Sequence, residues 1–334
     1  MTDAAGLVAR RRWSELAAKP LDDTAVEECD AQRVLALLAD GVEEGLVELT
    51  AAAEADLRKR LQRRALSAVT LDSRLLATVA ALTSAGVEIR LLKGAAVSRL
   101  DYERPDHRPY GDVDILVRGE AMATAVEVLE GHGFERHFAE PFPGHDATVG
   151  KGVAMGGTAG VVVDLHRTLA LGYYGTRLPV AGLWDVGEPV DVEGTPMTAL
   201  SRQNRFLHSA LHGALSQRTR LTDSLDLVRI WTGASEPLSL ATLVERAERW
   251  GCGGRIASAV LAAEANLPGE LDADLVAWAC NRRRSHTEWI VDRAYHGRLA
   301  HSRARTVSAV FGLPSWRSRL SVTVAEVRGR GSDD

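Results

Sequence analysis

The chain is poor in cysteine, in aromatic residues and in net charge, and each shortage excludes a class of protein. Its three cysteines, Cys29, Cys252 and Cys280, are far apart and form no C-x-x-C pair, so neither a disulfide framework nor a cysteine-bound zinc is expected. Aromatic residues make up only 5% of the 334 residues, whereas Ala, Leu, Val and Arg are abundant, which favours helices. The formal net charge of -5 gives no basic excess, so duplex nucleic acid is not an expected partner.

Long apolar runs are also missing. Trp13-Ser14-Glu15 follows the basic Arg10 to Arg12, where a secretion signal would need an apolar segment. We see no stretch that approaches the roughly 18 apolar residues of a membrane span. A cytoplasmic protein without a membrane partner is therefore expected, and its oligomeric state is left open.

The pattern of apolar residues divides the chain into helical ends and a mixed centre. Helical spacing continues from about residue 5 to 84 and again from Ser201 onward, whereas short apolar runs between them are typical of strands. These runs predict strands at 87–92, 112–117, 134–138, 147–155 and 160–165, and helices at 95–100 and 120–130. The glycine content of Gly156-Gly157-Thr158-Ala159 predicts a hairpin turn.

We therefore predict an α+β fold in which a small mixed β-sheet forms the core and helices flank it on both sides in sequence. The predicted regions are an N-terminal helical region (1–84), the core (85–200), a C-terminal helical region (201–328) and a frayed tail (329–334).

Two carboxylates stand at the head of one predicted strand, in Gly111-Asp112-Val113-Asp114-Ile115-Leu116-Val117. Because side chains alternate along a strand, Asp112 and Asp114 should lie on one face while Val113 and Ile115 face the core. Like charges held this close repel unless a cation lies between them. Mg²⁺ is a cation that prefers carboxylate oxygens and commonly binds together with nucleotide phosphates. The pair thus points to phosphoryl or nucleotidyl transfer.

A third carboxylate, Asp164, lies in the apolar run Val161-Val162-Val163-Asp164-Leu165-His166. A buried carboxylate in such a strand is costly unless it binds something. If this strand lies beside that of Asp112, all three acids meet at one point of the sheet.

The three ordered motifs resemble the bacterial "uncharacterised nucleotidyltransferase" family of the polymerase-β-like superfamily. They are Leu91-Leu92-Lys93-Gly94-Ala95-Ala96, then Arg108-Pro109-Tyr110 leading into the Asp112 strand, then Val163-Asp164-Leu165-His166. The resemblance implies a minimal nucleotidyltransferase sheet, with Asp112 and Asp114 as catalytic metal ligands and Asp164 as the third. It implies Mg²⁺, with Mn²⁺ as the alternative, and an NTP such as ATP as co-substrate.

The same resemblance shows one departure, because Lys93-Gly94 stands where better-known relatives carry a Gly-Ser turn that contacts phosphates. Lys93 could supply a charge to a phosphate while the backbone at Gly94 approaches closely; the alternative is an exposed lysine at a strand end. Arg108 could bind the triphosphate or pair with Asp112. His166 could hold the acceptor, assist proton transfer, support Asp164 or be structural. With Gly111, these residues are our candidates for binding the nucleotide.

Two other patterns are discounted. His208 and His212 have the i, i+4 spacing of zinc ligands but lack the Glu of H-E-x-x-H and an evident third ligand. Gly150-Lys151-Gly152 does not match the P-loop.

The resulting hypothesis is a Mg²⁺-dependent transfer of a nucleoside monophosphate from an NTP to the hydroxyl or phosphate of an unidentified acceptor, which could be a small molecule, a natural product or a peptide. One alternative is a toxin or defence enzyme that modifies tRNA or a protein by the same chemistry. The other, from a different class, is a non-catalytic module that binds a nucleotide or a partner.

Overall fold

The computed structural model describes residues 4–16, 19–157, 160–216, 220–233, 237–295 and 309–313. The predicted tail at 329–334, and Thr158 and Ala159 of the predicted turn, lie outside these residues. The strands are β1 (Ile89–Leu91), β2 (Val113–Val117), β3 (Glu135–Arg136), β4 (Gly152–Gly156), β5 (Val162–His166), β6 (Gly187–Val192) and β7 (Thr195–Leu200). The α-helices before the sheet are α1 (Ala4–Ala9), α2 (Trp13–Leu16), α3 (Asp23–Ala31), α4 (Leu35–Glu43) and α5 (Ala51–Ser84).

Further helices lie within and after the sheet region. Those between strands are α6 (Lys93–Leu100), α7 (Met122–Gly131), α8 (His145–Thr148) and α9 (Tyr173–Arg177). Those after β7 are α10 (Arg202–Leu215), α11 (Leu221–Thr232), α12 (Leu240–Arg249), α13 (Gly253–Asn266), α14 (Ala273–Asn281) and α15 (His286–Tyr295). Short 3-10 helices occupy Pro105–His107, Gly119–Ala121 and Val180–Leu183.

The seven described strands form one mixed sheet in the order β3-β4-β5-β2-β1-β7-β6. The pairs β2–β5 and β1–β7 are parallel, and the other neighbours are antiparallel. This confirms the predicted α+β architecture, a mixed sheet with helices before and after it. The antiparallel pairing of β4 with β5, in which Gly156 lies opposite Val162, also agrees with the hairpin that the glycines predicted between these strands.

Two parts of the strand prediction need correction. The segment predicted as a strand at 147–155 begins as the last turn of α8, and only Gly152–Gly156 forms β4. The β6–β7 hairpin was not predicted at all. Its turn contains Glu193 and Gly194 in the left-handed region, with φ of 49° and 80°, a conformation that suits the tight turn of a hairpin.

The buried apolar residues form two clusters on opposite sides of the sheet. One contains Val113, Ile115 and Val117 of β2 together with the second half of α5 and with α7. The other combines helices from both ends of the chain and reaches the sheet through residues such as Leu116. Side chains of β2 alternate between the clusters, so Asp114 lies on the face turned toward the terminal helices.

Helix α5 spans 34 residues and belongs to both clusters, through Leu57 in one and Leu71 in the other. An 18-residue window of it has a mean hydropathy of 1.4 and is 28% buried, so length and composition alone make it a candidate membrane span. By this measure, the prediction that no stretch approaches a membrane span is wrong. Within the fold, Leu75 and Leu82 of the same helix are fully buried against the sheet.

Candidate active site

Strand pairing brings the predicted carboxylates together. In the parallel pairing of β2 with β5, Asp114 lies opposite Asp164, and Leu116 lies opposite His166. Because alternate residues share a face, Asp114, Asp164 and His166 project from the same side of the sheet. One potential ligand atom from each of these three residues lies within 4.8 Å of those of the others. The sequence-based expectation that the Asp164 strand lies beside the Asp112 strand is therefore confirmed.

Asp114 is the centre of this cluster and is only 2% exposed. Its Oδ1 accepts hydrogen bonds from Lys93 Nζ at 2.5 Å and from His166 Nε2 at 2.7 Å. Burial alone would raise the pKa of Asp114, but these two donors outweigh it and hold the pKa well below the usual range of an aspartate. The carboxylate is thus an anion at neutral pH, ready to bind a cation.

His166 acts mainly on Asp114. Its Nε2 lies 2.7 Å from Asp114 Oδ1 but 3.9 Å from Asp164 Oδ2. Burial, followed by the charge of Lys151, lowers the pKa of His166 to about 4, so the ring is neutral at pH 7. A neutral ring has one N–H, and Nε2 is the nitrogen that donates it to Asp114. Of the roles considered for His166, orientation of a carboxylate fits this geometry, although the carboxylate is that of Asp114.

Asp112 stands at the rim of the cluster, directly before β2. Burial raises the pKa of Asp112, as do the charges of Asp114 and Asp164, while Lys93 and Arg33 oppose them. Asp112 does not belong to the three residues whose ligand atoms lie within 4.8 Å of one another. Its carboxylate therefore shares the electrostatic environment of the site without touching its centre.

The Lys93-Gly94 turn lies at the end of β1, where the chain enters α6. Lys93 has a φ of 44°, in a region that non-glycine residues rarely adopt. A Cβ at Gly94 would lie 2.2 Å from Cβ of Tyr110, so only glycine fits there. Burial disfavours the Lys93 ammonium, but Asp114 raises its pKa above the ordinary value. The alternative of an exposed lysine is thus wrong, since the charge is held inside the site.

Arg108 has a different partner from the Asp112 considered above. Its Nε and Nη2 donate to the two carboxylate oxygens of Asp226 at 2.6 and 2.8 Å, and Tyr102 donates to the same carboxylate at 2.8 Å. All three side chains are buried. The buried ion pair of Arg108 with Asp226 therefore links the segment before β2 to α11. Gly111 is exposed, and its contact with a nucleotide stays a prediction.

Sequence reasoning missed Lys151 as part of the site. The β4–β5 register places Gly152 opposite His166, and the backbone carbonyl of Lys151 accepts from the amide of Arg167 at 2.8 Å. Burial, then the charge of Lys93, lowers the pKa of Lys151, while Asp114 and Asp164 oppose this shift. A second lysine therefore borders the carboxylates. The only signal in sequence was a lysine between two glycines, next to a strand.

Two histidines of α10 extend the site toward the terminal helices. The ring centroid of His208 lies 6.4 Å from that of His166 and 6.5 Å from that of His212. Burial and then the charge of Lys93 lower both pKa values, that of His212 to about 3. Among the described residues, His208 Nε2 is a buried nitrogen without a hydrogen-bond partner. Both rings are neutral and serve as polar groups on this side of the carboxylates.

A cleft of about 600 Å³ lies between α4, α5 and the segment that contains Pro109 and Tyr110. Small side chains such as Ala39 and Ala68 leave this space open. The hydroxyl of Tyr110 is held by Asp72 and lies 3.4 Å from a guanidinium nitrogen of Arg99. The cleft therefore ends at a fixed aromatic ring near the start of β2.

Comparisons with known proteins identify the family of the chain. A family model described as "uncharacterised nucleotidyltransferase" matches residues 21–268. A crystal structure of an antigenic nucleotidyltransferase-like protein from Paracoccidioides brasiliensis is similar at 17% identity and a TM-score of 0.38, over 67% of this chain and 98% of that one. No curated protein matches the sequence.

Proposed function

Because the chain belongs to the uncharacterised nucleotidyltransferase family, we propose that it is a transferase that moves a nucleoside monophosphate from an NTP to an acceptor hydroxyl or phosphate. The observation that carries this proposal is the convergence of Asp114, Asp164 and His166 on one face of adjacent strands. Carboxylates in that arrangement suit a divalent cation.

The donor set at the centre of the site fits such a cation, which the fold family implies. Asp114 and Asp164 would hold it through carboxylate oxygens, and Asp112 would join them by turning in from the rim. Mg²⁺ is the ion that oxygen ligands favour, with Mn²⁺ as the alternative. When bound, it would neutralise phosphate charge and favour ionisation of the attacking hydroxyl. His166 would keep its hydrogen bond to Asp114 and so orient that carboxylate.

The two lysines suit the phosphate groups of the NTP. Lys93 and Lys151 border the same carboxylates, and cations aimed at phosphates stabilise the charge that develops as pyrophosphate leaves. Lys93 lies at the start of α6, where the helix dipole adds to its positive charge. In phosphate binding, Lys93 would exchange its bond to Asp114 for one to a phosphate oxygen, while Asp114 turns to the metal.

The acceptor is proposed to enter from the side of Asp112. The cleft of about 600 Å³ next to Tyr110 has the size of a small-molecule site, and Tyr110 lies two residues before Asp112 in the chain. A small molecule or the end of a peptide would suit this space. We also propose that the chain acts in the cytoplasm.

The test is transfer of label from each α-labelled NTP in an extract of the host, with Mg²⁺ present. Wild-type protein should transfer label and release pyrophosphate, whereas Asp114→Asn, which keeps the side-chain volume, should lose at least about 100-fold in rate. Asp185→Asn changes an exposed aspartate and should behave like wild type. Transfer that survives Asp114→Asn would place the chemistry elsewhere.

A further inference from the structure

Two arginines border one contact between the terminal helices. Gln32, at the end of α3, accepts from the amide of Leu221 at 2.8 Å and, through its carbonyl, from Thr222 Oγ1 at 3.2 Å. Arg33 directly follows Gln32, and Arg220 directly precedes Leu221. The hydrogen bonds between these segments therefore keep the two arginines next to each other.

The segment before β2 reaches the same place. Arg108 binds Asp226 of α11 through two hydrogen bonds, and Asp112 follows four residues later. The charges that act on Arg33 include those of Arg220, Arg108 and Asp112. Three parts of the chain, the end of α3, the start of α11 and the head of β2, thus meet beside the carboxylates.

Within the described part of the chain, Arg33 and Arg220 differ from Arg108 because neither has an ion-pair partner. Among the described residues, no carboxylate oxygen lies within 4.0 Å, the limit for an ion pair, of a guanidinium nitrogen of Arg33 or Arg220. By contrast, a carboxylate oxygen of Asp226 lies 2.6 Å from Nε of Arg108. Asp223 is the nearest acid in sequence to Arg220, but its carboxylate accepts from the backbone amide of that residue. Burial and the neighbouring arginines lower the pKa of Arg33. Two guanidinium groups therefore lie here outside any direct ion pair within the described residues, although Asp112 and Asp223 are close enough to act on them.

Lys93 bonds to Asp114, whereas Arg33 acts on Asp112 at the rim. A guanidinium matches the geometry of a phosphate and can donate two parallel hydrogen bonds to it. We propose that Arg33 and Arg220 form a phosphate-binding subsite at the Asp112 end of the carboxylates.

The phosphate could come from two sources, and the inference deepens the proposed function in either case. The phosphate is either one that the acceptor carries or one of the terminal phosphates of the NTP. The proposed function supplies these two sources, but phosphate binding itself needs neither a metal nor turnover. The subsite can therefore be tested in protein that transfers no nucleotide.

The first measurement is calorimetric titration of the metal-free full chain with inorganic phosphate in EDTA. Arg33→Gln/Arg220→Gln should weaken phosphate binding by about tenfold or more, the effect of losing charge-assisted hydrogen bonds. Arg33→Lys/Arg220→Lys, which keeps both charges, should recover part of the affinity. Arg63→Gln removes an exposed arginine of α5 and should leave binding unchanged. Wild-type affinity in the Gln double variant, or an equal loss in the Arg63 variant, would overturn the proposal.

A second measurement uses wild-type protein and does not depend on how the variants fold. Phenylglyoxal modifies accessible arginines, and mass spectrometry of the peptides locates the modification. Inorganic phosphate should protect Arg33 and Arg220 and leave Arg63 reactive. Equal labelling of all three with and without phosphate would contradict the subsite.

Two further titrations distinguish the sources. A non-hydrolysable NTP analogue with Mg²⁺ should bind the Gln double variant about tenfold more weakly if the arginines hold the NTP, and as tightly as wild type if they hold the acceptor. Asp114→Asn in EDTA should retain its phosphate affinity. Label transfer that survives in that variant would contradict the proposed function, whereas wild-type phosphate affinity in the Gln double variant would contradict the subsite, so the two failures are distinguishable.

Discussion

The ion pair of Lys93 with Asp114 gives the sharpest quantitative prediction for the site. The two side chains are 16% and 2% exposed, and Lys93 Nζ lies 2.5 Å from Asp114 Oδ1. Lys93→Met removes the charge and keeps much of the side-chain volume. Asp114 then retains a single donor to this oxygen, Nε2 of His166, and a buried carboxylate loses its compensating cation.

The size of the effect follows from the burial of the pair. Breaking a buried ion pair by removing one partner costs about 3–5 kcal/mol of unfolding free energy. Lys93 is partly exposed and His166 continues to donate to Asp114, so we expect a loss of about 2–3 kcal/mol. Asp114→Asn leaves the ammonium without its anion and should be destabilising for the same reason. The double variant contains neither charge and should be more stable than the sum of the two losses, by about 2 kcal/mol.

Urea unfolding of wild type, both single variants and the double variant measures this coupling. Lys59→Met, at an exposed position of α5, is the matched control and should change stability by less than about 0.5 kcal/mol. Single-variant losses that add to within about 0.5 kcal/mol would show that the two charges do not interact. That result would refute the electrostatic description of Asp114 given above.

Three other predictions concern different parts of the chain. Gly94→Ala should lower the unfolding free energy by about 1–3 kcal/mol, because the new Cβ would lie 2.2 Å from Cβ of Tyr110. Gly111→Ala is the control, since a Cβ there meets no heavy atom within 4 Å. It should leave the unfolding free energy nearly unchanged in the same urea assay. Burial would raise the pKa of Glu288, but hydrogen bonds from two backbone amides and Arg282 lower it. The ionised Glu288 therefore stabilises the protein above the ordinary carboxyl pKa, and this stabilisation is lost as the pH falls through the lowered pKa. Glu288→Gln should destabilise the protein at pH 7 and match wild type in strong acid. Acid unfolding of both proteins measures this difference. Lys151→Met should weaken calorimetric binding of a non-hydrolysable Mg²⁺–NTP by about tenfold, with Lys59→Met again unchanged; equal affinities would remove Lys151 from the phosphate site.

The carboxylates of the site could be predicted because strand geometry is local. Side-chain alternation along a strand predicted one face for Asp112 and Asp114. Asp112 lies directly before β2 and outside the group of Asp114, Asp164 and His166, so its predicted role as a metal ligand stays a prediction. An acid within the apolar β5 was unusual enough to mark Asp164. The pairing of the two strands required the structure, and the register of Asp114 with Asp164 supplied it.

The cations around the carboxylates could not be assigned in the same way, because their positions depend on distant contacts. Arg108 precedes Asp112 by four residues, yet its partner is Asp226, 118 residues away. Lys151 reaches the site only through the register of β4 on β5. By contrast, the missed β6–β7 hairpin did have a local signal, since Glu193-Gly194 separates two stretches of alternating apolar residues.

The proposed function depends most directly on a divalent metal held by Asp114 and Asp164, with Asp112 turning in from the rim, beside the phosphates of an NTP. Anomalous diffraction from crystals grown with Mn²⁺ and a non-hydrolysable NTP tests it most directly. Manganese should be bound by these carboxylates, with two ions about 3.5–4 Å apart if the site takes a pair, and the phosphates should contact Lys93 or Lys151. Manganese bound at other residues, or a nucleotide bound away from these lysines, would contradict the claim.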